Sequence, residues 1–110
     1  MADAITYYDE RVQEQILALP NTLAARYVVL TGRMSVVGAN LGEPHTKAMG
    51  QGLFELRLKG AEGIARVFYC ALVGRRIVML HSFVKKPGKT PRRMLELALD
   101  RMKEVSLENA

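Results

Sequence analysis

Apolar positions recur along the chain in a helical period, then a stranded one, then a helical one again. From Asp9 to Leu19, Val12, Ile16 and Leu19 fall at i, i+4 and i+7, on one side of an amphipathic helix. Pro20 has no N–H for a continuing helix and ends it. Asn21 or Thr22 is a cap for a second helix, in which Leu23, Tyr27, Leu30 and Met34 share one face. The two helices read as a hairpin. The segment 38–52, GANLGEPHTKAMGQG, carries four glycines and a proline and is expected to be a loop.

The period then drops to two. In Leu53 to Lys59, Phe54, Leu56 and Leu58 alternate with Glu55, Arg57 and Lys59, giving one oily face and one ionic face. Gly60 to Gly63 makes a turn. Ile64 to Leu72 is almost continuously apolar, as suits a central strand, and its one charge is Arg66. Val73 and Gly74 predict a tight hairpin into a third strand, Arg76 to Lys85. Thr90 is the expected cap of a last helix with Pro91 in its first turn. Met94, Leu95, Ala98, Leu99, Met102 and Val105 give that helix its apolar stripe. The predicted fold is α+β, in the order α-α-β-β-β-α: a small antiparallel sheet with an N-terminal helical hairpin and a C-terminal helix, the helices on one side. It fits one domain over residues 1–110.

Composition narrows this picture. The 110 residues are 49% hydrophobic and 25% charged, ordinary for one folded domain and too few for a multi-domain enzyme. No apolar run approaches the ~18 residues of a membrane span. Met1 to Tyr8 includes Asp3 and lacks the basic start of a secretory signal, so a soluble cytoplasmic protein is expected. The single cysteine, Cys70, excludes an intrachain disulfide and any Cys-rich zinc site, and is expected to pack as a small apolar residue.

Charge adds more. The net charge is +5, and the excess lies in the second half. Between 85 and 93, Lys85, Lys86, Lys89, Arg92 and Arg93 are basic and no residue is acidic. Such a run suits a polyanion, whether a nucleic acid or an acidic protein, although it also describes a solvated surface. Period-two geometry gathers Glu55, Arg57 and Lys59 on one strand face, and His81, Phe83 and Lys85 on another. If the register allows, Arg66 projects between them. Arginine offers phosphate two parallel donors, lysine a compact charge, and Phe83 a surface on which a base stacks. A lone arginine in an apolar strand also needs a partner. His81 taken alone reads as a hydrogen-bonded histidine, and His45, beside Pro44 in a loop, as a surface residue. No His, Cys, Asp or Glu set has metal-ligand spacing, and no glycine-rich loop has the phosphate-cradling pattern.

These motifs carry a resemblance. GEPHTKAM (42–49), LFELRLK (53–59), IARVFY (64–69) and above all IVMLHSFVKKPGKTPRRMLELALDRMKE (77–104) resemble the HigB-type, phage-derived branch of the RelE/ParE toxin superfamily of type II toxin–antitoxin pairs. The resemblance covers more than half the chain. It implies a microbial ribonuclease fold, a ribosome-dependent mRNA interferase and neutralisation by a helix-turn-helix antitoxin. It further implies that Arg66 holds the scissile phosphate, that Arg57 and Lys59 are the basic residues of the preceding strand, and that Lys85 and Lys86 contact phosphate or the leaving oxygen. The family's extra N-terminal strand finds only Ile5 to Tyr8 here, and its usual KTQKTP is KPGKTP.

Residues and resemblance converge on a route without metal or cofactor, in which a ribose 2′-OH attacks the adjacent phosphate. Arg66 with Arg57 stabilises the added negative charge. Lys59 or His81 is the base, and Lys85, Lys86 or His81 the acid. Phe83, Lys86, Lys89, Arg92 and Arg93 are the expected RNA-binding residues, and mRNA, the ribosome and the antitoxin the expected partners. Two alternatives stay open: a ParE-like inhibitor of DNA gyrase, and a non-catalytic nucleic-acid-binding phage protein.

Overall fold

A computed structural model describes residues 3–72, 74–86 and 88–108. The elements run β1 (Ala4–Tyr7), α1 (Glu10–Leu17), α2 (Asn21–Val37), β2 (Thr46–Gly50), β3 (Leu53–Gly60), β4 (Gly63–Leu72), β5 (Arg76–Lys85) and α3 (Arg92–Glu108). One five-stranded sheet has the order β1-β5-β4-β3-β2. Strands β2 through β5 form antiparallel neighbours, whereas β1 runs parallel to β5, so the sheet is mixed rather than antiparallel throughout.

The first helix begins where Asp9 accepts a hydrogen bond from the Val12 N–H at 2.9 Å, a side-chain cap. Val12 and Ile16 are buried as the period requires. In α2, Leu23, Tyr27, Leu30 and Met34 all lie at 4% exposure or less, facing the sheet. They meet Leu56, Leu58, Ala65, Val67, Tyr69, Ile77 and Met79, one complete sheet face. Burying side chains of this size contributes about 1.5–3 kcal/mol each, which holds the hairpin to the sheet.

The expectation that all helices lie on one side is corrected by the second core. Leu53, Phe68, Cys70, Val78 and Leu80 project from the opposite face and pack with Ala98 and Val105 of α3. The physical reason is the unbroken apolar run of the central strands: with both faces oily, both need a cover. Cys70 packs there as expected, and burial pushes its thiol up to about 11.

One strand was hidden within predicted coil. The 38–52 loop contains β2, whose Thr46, Lys47 and Ala48 pair with Leu56, Glu55 and Phe54 before a bulge at Met49. As an edge strand it needs only one neighbour and shows no apolar alternation. The N-terminal strand β1 is present but four residues long. Asp3 Oδ1 accepts from Arg75 Nε at 2.9 Å, fastening β1 to the β4–β5 turn. In that turn Gly74 and Arg75 both have positive φ, 85° and 61°, the left-handed pair that a right-twisted hairpin favours. Val73, half of the predicted turn, lies outside the described residues, as does Pro87 in the KPGKTP segment. The Thr90 cap is also corrected: its hydroxyl points to Glu55 Oε2 at 3.5 Å instead of a helical N–H.

Gly60 marks where α2 meets the sheet end. A Cβ there would stand 2.3 Å from Thr22 Oγ1 and 2.9 Å from Thr22 Cβ. Gly60→Ala should therefore destabilise the protein by about 1–3 kcal/mol, since the added methyl must push the helix start away. Urea unfolding checks this; a stability equal to or above wild type would show that the helix start yields freely.

Candidate functional site

Side chains alternate along β3, and Leu56 and Leu58 face α1 and α2, so Glu55, Arg57 and Lys59 face the α3 side. Arg57 pairs directly with Arg66 of β4, and Arg66 with Phe83 of β5. Lys59, Ile64 and Lys85 form the next row outward, and Glu55, Phe68 and His81 the next row inward. Arg57, Lys59, Arg66, Phe83, Lys85 and His81 therefore share one face, with Arg66 in the middle.

A bulge makes this possible. Phe68 pairs with His81 but Tyr69 pairs with Met79, leaving Leu80 as the extra residue of β5. Strict alternation would put His81, Phe83 and Lys85 beside Met79, on the α1/α2 face. The inserted residue turns them over to the arginine face. The Leu80 carbonyl, which loses its ladder partner, accepts from Arg101 of α3 at 2.7 Å.

Glu55 is the counter-charge at the centre. It is only 3% exposed. Its Oε1 accepts from Arg57 Nε at 3.2 Å and lies 3.5 Å from Arg66 Nε. The second contact is an ion pair without hydrogen-bond geometry, so the buried Arg66 Nε keeps an unused donor. Burial lowers the Arg66 pKa, opposed by Glu55 and helped by Arg57, yet a guanidinium stays charged in proteins. Arg57 also reaches Glu43 at 3.5 Å.

Above the two arginines opens a pocket of about 440 Å³ lined by Arg26, Pro44, His45, Arg57, Lys59, Ile64 and Arg66. Five of its seven lining residues carry basic or imidazole groups, and none is acidic. The arrangement suits a small dianionic or phosphodiester group, with paired guanidinium donors at its floor. Among the described residues, no three His, Cys, Asp or Glu side chains gather as a metal-binding cluster.

The remaining residues singled out in the sequence take separate places. Lys59 is exposed at the pocket rim. Lys85 is tethered, donating from Nζ to the Gly88 carbonyl. Phe83, Lys86, Lys89 and Arg93 line a second concavity of about 320 Å³ beside the start of α3. Arg92 points elsewhere on the helix and pairs with Glu96 at 3.0 Å. His81 sits under α3, with Nε2 3.0 Å from Met94 Sδ and its ring stacked 6.0 Å from Phe83. Its Nδ1 is buried without a hydrogen bond. Burial, and then the Arg101 charge, lowers its pKa below the usual 6.5.

Three contributors escaped the sequence reading. Glu55 was visible as part of the ionic face, and the need of Arg66 for a counter-charge was the signal for its role. His45 and Arg26 gave no such signal, because only the β2–β3 register and the packing of α2 bring them to the pocket.

The sequence profile of the phage-derived Gp49-like proteins matches residues 14–103. Among curated proteins there is no significant match. In three dimensions the chain is similar to the E. coli toxin RelE, solved in the free state as a double arginine-to-alanine mutant. The TM-score is 0.66 at 13% identity, over 93% of this chain and 99% of that one, a likeness of fold.

Glu55→Gln leaves two opposed guanidiniums without their carboxylate and should destabilise the protein by about 1–3 kcal/mol, measured by urea unfolding, with Arg66→Met recovering part of that loss. His81 has a depressed folded pKa, so its contribution is complete above the unfolded value of 6.5 and is lost as pH falls through the lower folded value. Melting temperature should therefore drop more between pH 7 and 5 in wild type than in His81→Leu; parallel profiles would contradict it.

Proposed function

The chain belongs to the phage-derived Gp49-like family, and on that premise we propose that it is the toxin of a type II toxin–antitoxin pair, of HigB type within the RelE/ParE superfamily, acting as a ribosome-dependent endoribonuclease. The observation that carries this reading is the opposed Arg57–Arg66 pair at the floor of a basic pocket, with a buried Arg66 donor left over.

The chemistry needs no group beyond side chains. The 2′-oxygen of a ribose attacks the adjacent phosphorus, the P–O5′ bond breaks, and a 2′,3′-cyclic phosphate and a 5′-hydroxyl result. One proton leaves the 2′-OH and one arrives at O5′. Arg66 and Arg57 hold the non-bridging oxygens as charge builds on them, the effect that fixed donors serve best. Lys59 and Lys85 stand in one row on the two flanking strands with Ile64 between them. At ~4.8 Å per strand they are about 10 Å apart at the backbone, one on each side of β4 and both one row outward of the arginines. That spacing suits groups serving the attacking and the departing oxygen. Lys59 or His81 takes the first proton, and Lys85, Lys86 or His81 gives the second. Phe83, Lys86, Lys89, Arg92 and Arg93 supply stacking and charge for the flanking nucleotides.

A basic face of this kind also suits an acidic partner. In this reading the partner is a helix-turn-helix antitoxin encoded beside the toxin gene, and the protein works in the cytoplasm where translating ribosomes are.

Arg66→Ala should lower mRNA cleavage by on the order of 100-fold or more and abolish growth arrest while the protein stays folded. Primer extension on cellular mRNA after brief induction reads the cuts, and circular dichroism the fold. Cuts within translated codons support the nuclease. DNA damage with intact mRNA would indicate a gyrase inhibitor, and neither effect a non-catalytic binder.

A further inference from the structure

The sequence places one imidazole, His81, in the site, whereas the pocket itself contains the other. His45 joins the lining through the backbone. Its carbonyl accepts from the Arg57 N–H at 2.8 Å, and its own N–H donates to the Gly42 carbonyl at 3.1 Å. The β2–β3 ladder continues from Thr46 opposite Leu56, so His45 stands opposite Arg57. Thr46 is 1% exposed and bonds inward to Asn40 and Gly42 on the α1/α2 side. The residue before it must point the other way, toward the arginine face. His45 is half-buried and lines the pocket with Arg57, Lys59 and Arg66. By contrast His81 is under α3, against Met94 and Arg101, one row inward of Arg66.

We propose that His45 is the imidazole of the arginine pocket, lying against a phosphodiester held by Arg57 and Arg66 and donating, as imidazolium, a hydrogen bond to one of its oxygens. The choice of phosphodiester as ligand rests on the nuclease reading; the placement of His45 does not. The charged groups sharing the pocket are Arg26 from α2, Arg57 and Lys59 from β3 and Arg66 from β4, with Glu43 of the preceding loop taken up by Arg57. Glu43 and the buried Glu55, which pairs with both Arg57 and Arg66, are the acidic groups, and the rest are cationic. A phosphate bound against the ring favours its protonated form. Binding and protonation of His45 are therefore coupled: anion binding raises its affinity for a proton, and a proton raises its affinity for the anion.

The chain has two histidines, so their ring C–H signals in an NMR titration are separable. The probes are inorganic phosphate and a short single-stranded RNA carrying 2′-O-methyl groups throughout, which binds but lacks the attacking hydroxyl. Either probe should shift the His45 ring signal and raise its titration midpoint, with the His81 signal far less affected. His45→Ala should weaken RNA binding about ten-fold near pH 6 and by less than about two-fold near pH 8, where imidazole is neutral. His45→Gln should restore little of the pH 6 affinity. A His45 ring unmoved by saturating RNA, an alanine effect that does not vary with pH, or no binding by wild type overturns the proposal. If RNA binds with these signatures but translated mRNA is never cut, the nuclease reading falls and this assignment stands. If Arg66→Ala stops cleavage while the His45 ring stays silent, the reverse holds.

Discussion

A buried carboxylate held between two arginines sets the terms for the rest of the site. Arg57 and Arg66 face each other across neighbouring strands, a placement in which like charges repel. For unit charges at the ~5 Å spacing typical of directly opposed side chains and an effective dielectric of about 20, such a repulsion is about 3 kcal/mol. Glu55 contacts both at 3.2 and 3.5 Å, and each such contact is worth about 5 kcal/mol gross on the same scale. The attraction wins before desolvation, which takes back much of it. One carboxylate cannot saturate two guanidiniums, however, and both arginines line the pocket. Glu55 thus lets the pair exist without quenching it, and a bound anion completes a charge balance the fold leaves unfinished.

The same carboxylate ties the site to the chain beyond it. Thr90 reaches Glu55 from just ahead of α3, and Lys85 is held by Gly88 in the segment between. Thr90 is thereby held against the arginine face, and Gly88 against Lys85 at the end of β5. Along that face α3 covers Cys70, Val78 and Leu80 and stops short of the outer rows. The result is a sheet face dry at one end and open at the other, with Arg66 at the boundary, 14% exposed in its side chain. Electrostatic contacts strengthen at such a boundary because solvent screens them less, while the ligand still has an open approach.

Much of this could be read from residue order, and the failures have identifiable causes. The alternation of LFELRLK put Arg57 and Lys59 together, and the lone charge of IARVFY announced that Arg66 needed company. The shared position of His81, Phe83 and Lys85 was also correct as a set, because all three follow the bulge. Which face they take depends on Leu80, and nothing in IVMLHSF distinguishes a bulged strand from a regular one. The position of α3 followed from a signal that was present: strands apolar on both sides need two covers. β2 had no such signal, since TKAMG lies between glycines and proline and is ordered by its partner β3. His45 inherits its place from that register, which is why it looked like surface.

The division between frame and site explains how a fold can be held at 13% identity. The frame is specified by period: apolar residues every second position in strands and every third or fourth in helices, a condition many sequences satisfy. The site depends on a few side chains: one edge strand brings His45 to the pocket, and one extra residue at Leu80 sets the face of His81, Phe83 and Lys85. Changing an interior Leu to Ile leaves both intact, whereas deleting the one bulged residue would turn His81, Phe83 and Lys85 to the opposite face. The likeness of fold therefore transfers the frame alone, and the roles within the pocket must come from this chain's own charges, register and burial.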